Sequence, residues 1–325
     1  MMEDNNMSTP LLQINQLTVT LKKRQALFKA VDNLSFTVNK GEILGLVGES
    51  GAGKSMVGSA IMGLIDQPLF ISSGEIYFNQ RRIDTNAQPV RGAEISMIFQ
   101  DPLVSLNPLR TIGDQLVETI RTHIPLSKPK ALERAKRLLE EVGIDPARIH
   151  AYPHTFSGGM RQRVVIALAL APEPSLIIAD EPTTALDVSV QAQILDLLKQ
   201  LCKDRGTSII LITHDMGVIA DTTDRVAVLY SGRLAEIGTT YDVLKNPCHP
   251  YTKGLVAATP QINGASLKEK LFQIPGSMPD LNNIPAGCAF YPRCTQAVSQ
   301  CEAEQPALFD NRTACWLFNQ GGKLE

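Results

Sequence analysis

The stretch Gly48-Glu49-Ser50-Gly51-Ala52-Gly53-Lys54-Ser55 constrains this chain more than any other. It follows a short apolar run, Glu42 to Val47, and precedes the small and apolar residues Ser55 to Ile65, so it reads as strand, glycine-rich turn and packed helix. A loop without bulky side chains can wrap its backbone N–H groups around phosphates, and the helix N-terminus adds partial positive charge. Lys54 then neutralises the outer phosphates, and the Ser55 hydroxyl is placed to ligate Mg²⁺. The pattern predicts nucleotide binding.

The rest of the chain supplies an α/β setting. Leu11 to Leu21 alternates loosely, Lys22-Lys23-Arg24 reads as a solvated hairpin tip, and Ala30 to Val38 completes an antiparallel β region. Ile95 to Phe99 is a further strand, stopped by Gln100-Asp101-Pro102. Thr111 to Arg121 and Pro129 to Val142 repeat apolar residues at helical spacing, and Gly158 to Ala171 is a third helix broken at Pro172. Leu176 to Ala179, Ile209 to Thr213 and Val226 to Tyr230 are short apolar runs, with the helical segment Val190 to Cys202 among them. Strands alternating with helices predict a parallel sheet. From about Asn246 the composition turns to Pro, Asn and Cys, which predicts an appended segment with little regular structure.

Composition excludes several function classes. With 325 residues, 44% hydrophobic and 20% charged, the chain is globular and long enough for about two domains. A net charge of -2 offers no global attraction for nucleic acid. No apolar run approaches the roughly 18–20 residues of a membrane span, and Met1 to Pro10 is polar and acidic where a secretory signal would be basic and then apolar. These features predict a cytoplasmic protein. In a reducing compartment its cysteines are metal ligands, reactive thiols or buried fillers rather than disulfides.

A second chemical signal is Leu176-Ile-Ile-Ala-Asp180-Glu181, an apolar strand ending in two carboxylates. Beside a phosphate loop, Asp180 suits Mg²⁺ and Glu181 suits a water that attacks the γ-phosphate. Thr213-His214 ends the next strand on the same edge, where His214 would stabilise or sense the γ-phosphate.

Ser157-Gly158-Gly159-Met160-Arg161-Gln162 resembles the signature of ATP-binding-cassette ATPases, and it precedes Asp180 as in that family. Gln100 resembles the family's Q-loop glutamine, Ala185-Leu186-Asp187 its D-loop and His214 its switch histidine. The resemblance implies a cassette fold: a RecA-like parallel-sheet core, an N-terminal antiparallel β region, a helical subdomain and an irregular Cys-rich C-terminal extension. It implies ATP held by Gly48, Glu49, Ser50, Gly51, Ala52, Gly53, Lys54, Ser55 and Met56, with Mg²⁺ on Ser55, Gln100 and Asp180. Glu181, His214 and Gln100 would be the catalytic residues. Ser157, Gly158, Gly159, Gln162 and Asp187 would contact ATP held by a partner cassette, so that two cassettes close head to tail around two nucleotides. Leu21 stands where close relatives carry the Phe that stacks on adenine, and Phe28 is the nearby alternative.

The chain further resembles the ATPase subunits of dipeptide, oligopeptide and nickel importers. The resemblance rests on Ala30-Val31-Asp32, Ser105-Leu106-Asn107-Pro108, Asp187-Val188-Ser189-Val190, His249-Pro250-Tyr251-Thr252 and the spacing of Cys288, Cys294, Cys301 and Cys315, with Pro292-Arg293 before the second cysteine. Four thiolates in a short segment make a candidate Cys₄ site for an iron–sulfur cluster or Zn²⁺, and the resemblance favours [4Fe-4S]. The domains expected are a polar tail (1–10), a nucleotide-binding core (11–100 and 172–245), a helical signature subdomain (101–171) and the C-terminal extension (246–325). The partners implied are a second, distinct ATPase subunit, two membrane permeases and, indirectly, an extracytoplasmic solute-binding protein, at the cytoplasmic face of the inner membrane, with no nucleic acid. The coupling surface for a permease helix is expected around Gln100 to Arg110. Trp316 and Phe318 read as local packing, and His249 and Tyr251 carry no evident chemistry.

Overall fold

The computed structural model describes residues 9–24, 26–84, 88, 90–184, 186–259 and 272–319. Most of the expected polar tail 1–10, Ala185 of the expected D-loop and the end of the C-terminal extension lie outside them. In chain order the elements begin with β1 (Leu12–Lys23), β2 (Ala26–Val38), β3 (Ile43–Val47), α1 (Lys54–Ile61), β4 (Leu69–Phe78), β5 (Arg81–Arg82) and β6 (Ile95–Ile98). There follow α2 (Pro102–Ser105), α3 (Ile112–His123), α4 (Lys128–Glu141), α5 (Gly158–Leu170), β7 (Leu176–Asp180), α6 (Val188–Arg205) and β8 (Ser208–Thr213). The chain closes with α7 (Met216–Thr222), β9 (Arg225–Tyr230), β10 (Arg233–Thr239), α8 (Thr240–Lys245), α9 (Pro250–Ala258), α10 (Ser299–Ala303) and α11 (Trp316–Asn319). The fold is mixed α/β, as the sequence predicts.

Two compact units form. The first comprises Met1–Asn39, Leu44–Asp84 and Thr213–Glu325, and the second Lys40–Ile43 and Thr85–Ile212. In the first unit, β2, β1, β4 and β5 make an antiparallel sheet in that order. On β1 Leu12, Ile14, Leu17 and Val19 are each at most 1% exposed, and a register shift between Ile14 and Leu17 breaks the two-residue alternation there. The same unit pairs β3 with β9 in parallel and β9 with β10 antiparallel. All five residues of β3 are buried, which explains its continuous apolar run.

The C-terminal extension has the little regular structure expected of it, but it is packed into the first unit rather than merely appended. It contains α9 and shorter helical turns, and Tyr251, Ala289 and Phe290 share one hydrophobic cluster with Val47, Val226, Val228 and Tyr230. Three strands, β4, β10 and the two-residue β5, escape the sequence patterns. On β4 only Ile76 and Phe78 are buried, too few to show a period. On β10 a carboxylate breaks the apolar run: Glu236 is fully buried and accepts hydrogen bonds from the N–H groups of Cys248 and His249, at 2.9 Å to each. A buried carboxylate is tolerable when so satisfied.

In the second unit β7 runs parallel to β6 and β8, with every residue of β7 and β8 buried. Around them lie α3 to α6. The inward faces of α3 (Ile112, Leu116, Ile120) and α4 (Ala131, Ala135, Leu138, Leu139) recur at three- and four-residue spacing. Among the described residues no helix is long and apolar enough to cross a membrane.

Candidate functional site

The first unit carries the phosphate loop where the sequence places it, between β3 and α1. Two glycines are required by close backbone approach. A Cβ on Gly48 would lie 2.3 Å from the Leu229 carbonyl oxygen, and one on Gly53, whose φ is 93°, would lie 2.8 Å from that of Ala30. Lys54 is buried, and its Nζ donates to the carbonyls of Gly48 (2.7 Å) and Glu49 (3.1 Å). The Gly232 N–H donates to Ala52 O at 3.0 Å, tying the loop to the β9–β10 turn. Ser50, Gly51 and Ser55 are exposed, and Ala52 is buried. Met56 is partly buried in α1.

Leu21 and Phe28 are direct cross-strand partners in the β1–β2 hairpin. Such partners project to one face. The two alternatives for the adenine contact thus share a single patch, half-buried at both residues. His214 is exposed and directly precedes the α7 cap, where Asp215 accepts from the N–H groups of Gly217 and Val218.

The second unit carries the carboxylates and the signature. Asp180 ends β7 and is 8% exposed. Glu181 follows with φ 45°, an uncommon conformation for a residue with a side chain. Its N–H donates to Ile212 O at 2.9 Å. Its Oε2 accepts from Gln100 Nε2 at 3.0 Å and from the Thr184 hydroxyl at 2.9 Å. Gln100 and Glu181, 81 residues apart, are therefore brought together. Thr184 went unnoticed in the sequence; a threonine three residues after the carboxylate was the available signal.

Ser157 caps α5, its hydroxyl accepting from Met160 N–H at 3.4 Å. Ser157 and Gly158 are exposed. A Cβ on Gly159 would lie 2.5 Å from Val190 Cγ1, and one on Gly158 would lie 3.7 Å from Leu186 Cδ2. The expected signature and D-loop are thus neighbours within this unit. Asp187 caps α6, accepting from Val190 N–H (2.9 Å) and the Ser189 hydroxyl (2.8 Å), bonds that hold its carboxyl below the usual carboxylate range. Gln162 does not join this surface: it is 1% exposed, and its amide nitrogen has no hydrogen-bond partner among the described residues. After Gln100, the segment leading into α2 and beyond leaves Leu103, Val104 and Leu109 exposed at 61%, 80% and 85%.

Comparisons with known proteins give the family. The family model described as "ABC transporter" matches residues 31–184, and that described as "Oligopeptide/dipeptide transporter, C-terminal region" matches residues 235–301. The chain belongs to the ATP-binding subunits of ABC transporters, in the oligopeptide/dipeptide branch. It is 44% identical to the oligopeptide transport ATP-binding protein AppD of Bacillus subtilis, over 97% of this chain and 99% of that protein. The dipeptide transport ATP-binding protein DppD of Escherichia coli is 45% identical, with 92% of each chain covered. A dimeric ATP-binding cassette in a post-hydrolysis state, bound to ADP and Pi, superposes with a TM-score of 0.64 at 28% identity, covering 70% of this chain and 98% of that one.

The four C-terminal cysteines line one small cavity, together with His249, Phe290 and Trp316. Cys301 and Cys315 are buried, while Cys288 and Cys294 are partly so. The Cys288 N–H donates to Cys301 O at 2.8 Å, closing the segment on itself. Burial and the neighbouring thiols push the Cys288 thiol up to about 11, with Cys294 and Cys315 raised for the same reasons. Among the described residues, however, no three His, Cys, Asp or Glu side chains stand close enough to hold one metal ion. Tetrahedral zinc needs sulfurs at about 2.3 Å from a common centre. The expectation of a metal centre therefore reduces to four free thiols around one cavity, with no support here for an iron–sulfur cluster or for zinc.

His249 and Tyr251 acquire roles here. His249 is buried, its Nδ1 accepts from Tyr251 N–H at 3.0 Å, and burial holds its pKa at about 4, so it stays neutral. Tyr251 is fully buried, and its hydroxyl accepts the Glu49 N–H at 2.9 Å. Trp316 packs locally as expected, donating to Glu304 O and contacting Phe309.

Proposed function

We propose that the chain is the ATP-hydrolysing subunit of a peptide importer, acting with permease subunits supplied by other chains at the cytoplasmic face of the membrane. The observation that carries this reading is the ordered set of phosphate loop, Gln100, signature, Asp180-Glu181 and His214, on a chain that matches oligopeptide and dipeptide transport ATP-binding proteins over nearly its whole length.

In this reading Gly48 to Met56 and Lys54 in particular bind the phosphates of ATP, and the Leu21–Phe28 patch takes the adenine. Ser55, Gln100 and Asp180 offer the hard oxygen donors that Mg²⁺ prefers, and the ion when bound neutralises phosphate charge. Glu181 orients and deprotonates the attacking water, with Gln100 and Thr184 fixing its carboxylate. His214 stabilises the γ-phosphate. Ser157, Gly158 and Gly159 face ATP on a second, distinct cassette, and Asp187 holds the start of α6 beside them. The exposed Leu103, Val104 and Leu109 meet a permease helix, and an extracytoplasmic binding protein delivers the solute.

The finer reading of the cysteine cavity is a [4Fe-4S] cluster held by Cys288, Cys294, Cys301 and Cys315. What supports it is that the four thiols line one cavity, the donor set that iron–sulfur clusters take. Iron and acid-labile sulfide assays on anaerobically purified protein, beside Cys294→Ser, test it; absence of both elements ends it.

The transport reading is tested by expressing the chain with and without its permease genes and fractionating the cells. Membrane recovery that requires the permeases, together with peptide uptake that requires this chain, is expected. Recovery in the soluble fraction regardless of the permeases would overturn it.

A further inference from the structure

The phosphate loop is held by residues that its own motif does not contain. Arg293, one residue before Cys294, is 8% exposed, and its guanidinium makes four hydrogen bonds. Nη1 and Nη2 donate to the two carboxylate oxygens of Glu49 at 2.8 and 3.0 Å, Nη1 also reaches the Tyr230 hydroxyl at 3.2 Å, and Nε donates to Pro275 O at 2.8 Å. Fork-to-carboxylate pairing of this kind fixes direction as well as distance. The Glu49 carboxylate partner keeps the Arg293 charge firmly in place. Tyr251 takes the other end of the same residue, the Glu49 N–H. Both anchors are set in one aromatic cluster, with Tyr230 ring centroids 4.6 Å from Tyr251 and 5.2 Å from Phe290. Met278 Sδ lies 3.9 Å from the position of a Cβ on Gly51. Glu49 is 244 residues from Arg293 and 202 from Tyr251, so the contact is purely tertiary.

A phosphate loop works only if its N–H groups are aimed before the ligand arrives, since each backbone residue left to be ordered on binding opposes it. Glu49 is the first variable residue of the loop, and its carbonyl accepts from both Lys54 and Ala52 N–H. Fixing its side chain and its N–H therefore fixes the first turn of the loop.

We propose that Arg293 and Tyr251 are positioning residues for ATP: the cysteine-bearing C-terminal segment preorganises the phosphate loop through the carboxylate and the N–H of Glu49. This rests on the reading of the loop as an ATP site and assigns its regulation to the C-terminal segment.

The test is equilibrium binding of Mg²⁺ and a fluorescent trinitrophenyl-ATP to the full chain, with ATPase KM and kcat measured in parallel. Arg293→Ala and Glu49→Gln are expected to weaken binding by about 5- to 10-fold, with KM rising more than kcat falls. Arg293→Lys, which keeps charge without the fork, should recover part of the loss, and the Glu49→Gln/Arg293→Ala double variant should be no worse than Arg293→Ala alone. Where Arg293→Ala lowers the folded yield, Glu49→Gln and Tyr251→Phe carry the same expectation. Binding within twofold of the unsubstituted chain in these variants, or losses that multiply in the double variant, overturns the proposal. An unsubstituted chain that binds no nucleotide overturns instead the ATP reading on which it rests.

Discussion

The phosphate loop and the signature surface, both proposed to meet the phosphates of ATP, are finished differently. The loop is closed by partners from its own unit: Lys54 lies against its carbonyls, Gly232 donates to Ala52, and Tyr251 and Arg293 hold Glu49. The signature end of α5 is capped by Ser157 and packs against Val190, yet Ser157 and Gly158 stay open to solvent, and the same unit exposes Leu103, Val104 and Leu109. One region is preorganised within the chain. The other offers an exposed helix start and apolar surface, the condition of a surface completed by other molecules.

The sharpest way to break this contrast is at Glu181. Glu181→Gln keeps the size and the contact with Gln100, and is expected to cut phosphate release by about 10²- to 10⁴-fold while ATP still binds. Rapid phosphate release by that variant would remove the water-positioning role. Replacing Leu103, Val104 and Leu109 together with Ser should reduce permease-dependent membrane recovery by about tenfold. Its urea midpoint should nonetheless change by no more than about 0.5 kcal/mol in stability, because these side chains contact little of their own chain. A large loss of stability would show instead that they belong to the chain's own core.

Ser157→Ala separates the two phosphate-binding regions more finely. Turnover should fall about 5- to 10-fold, the α5 cap should cost about 1 kcal/mol in stability, and nucleotide binding by the isolated chain should stay unchanged. Weakened binding by the isolated chain would mean that Ser157 serves the chain's own nucleotide.

The smallest effect is electrostatic and belongs to the first unit. Asp32 is buried, which raises its pKa, but Lys29 (2.8 Å) and Arg233 (2.7 Å) together outweigh burial and leave the carboxyl below its ordinary value. The folded pKa is depressed, so this contribution is present above about pH 4 and is lost as pH falls through the lowered folded value. Asp32→Asn should cost about 1–2 kcal/mol at pH 7 and flatten that part of the acid limb in urea unfolding. An unchanged acid limb would show that the pair is not stabilising.

Local elements were readable where one period or one motif set them. β3, β7 and β8 are buried along their whole length and therefore appear as unbroken apolar runs, and α3 and α4 bury one face each. The missed strands have physical reasons: β4 buries too little, and β10 carries Glu236, whose partners come from the turn before α9. The C-terminal segment is irregular as its composition predicts, yet its packing is not legible there. Its prolines and cysteines suggest irregularity, but Tyr251 and Phe290 bury large aromatic surface in the first unit.

At the site, the phosphate loop, Asp180-Glu181 and the signature were legible because each is a contiguous string whose chemistry depends on neighbouring backbone groups. Thr184, Arg293 and the service of Tyr251 to Glu49 were not, since no local pattern says which distant side chain will meet a given carboxylate. Sequence determined the reaction class and the donors proposed to face phosphate. Tertiary structure alone decided how those donors are held: Gln100 on Glu181, Arg293 and Tyr251 on Glu49, Gln162 inside and Ser157 outside. Chemistry is written in short spacings along the chain, whereas positioning depends on packing between residues hundreds of positions apart.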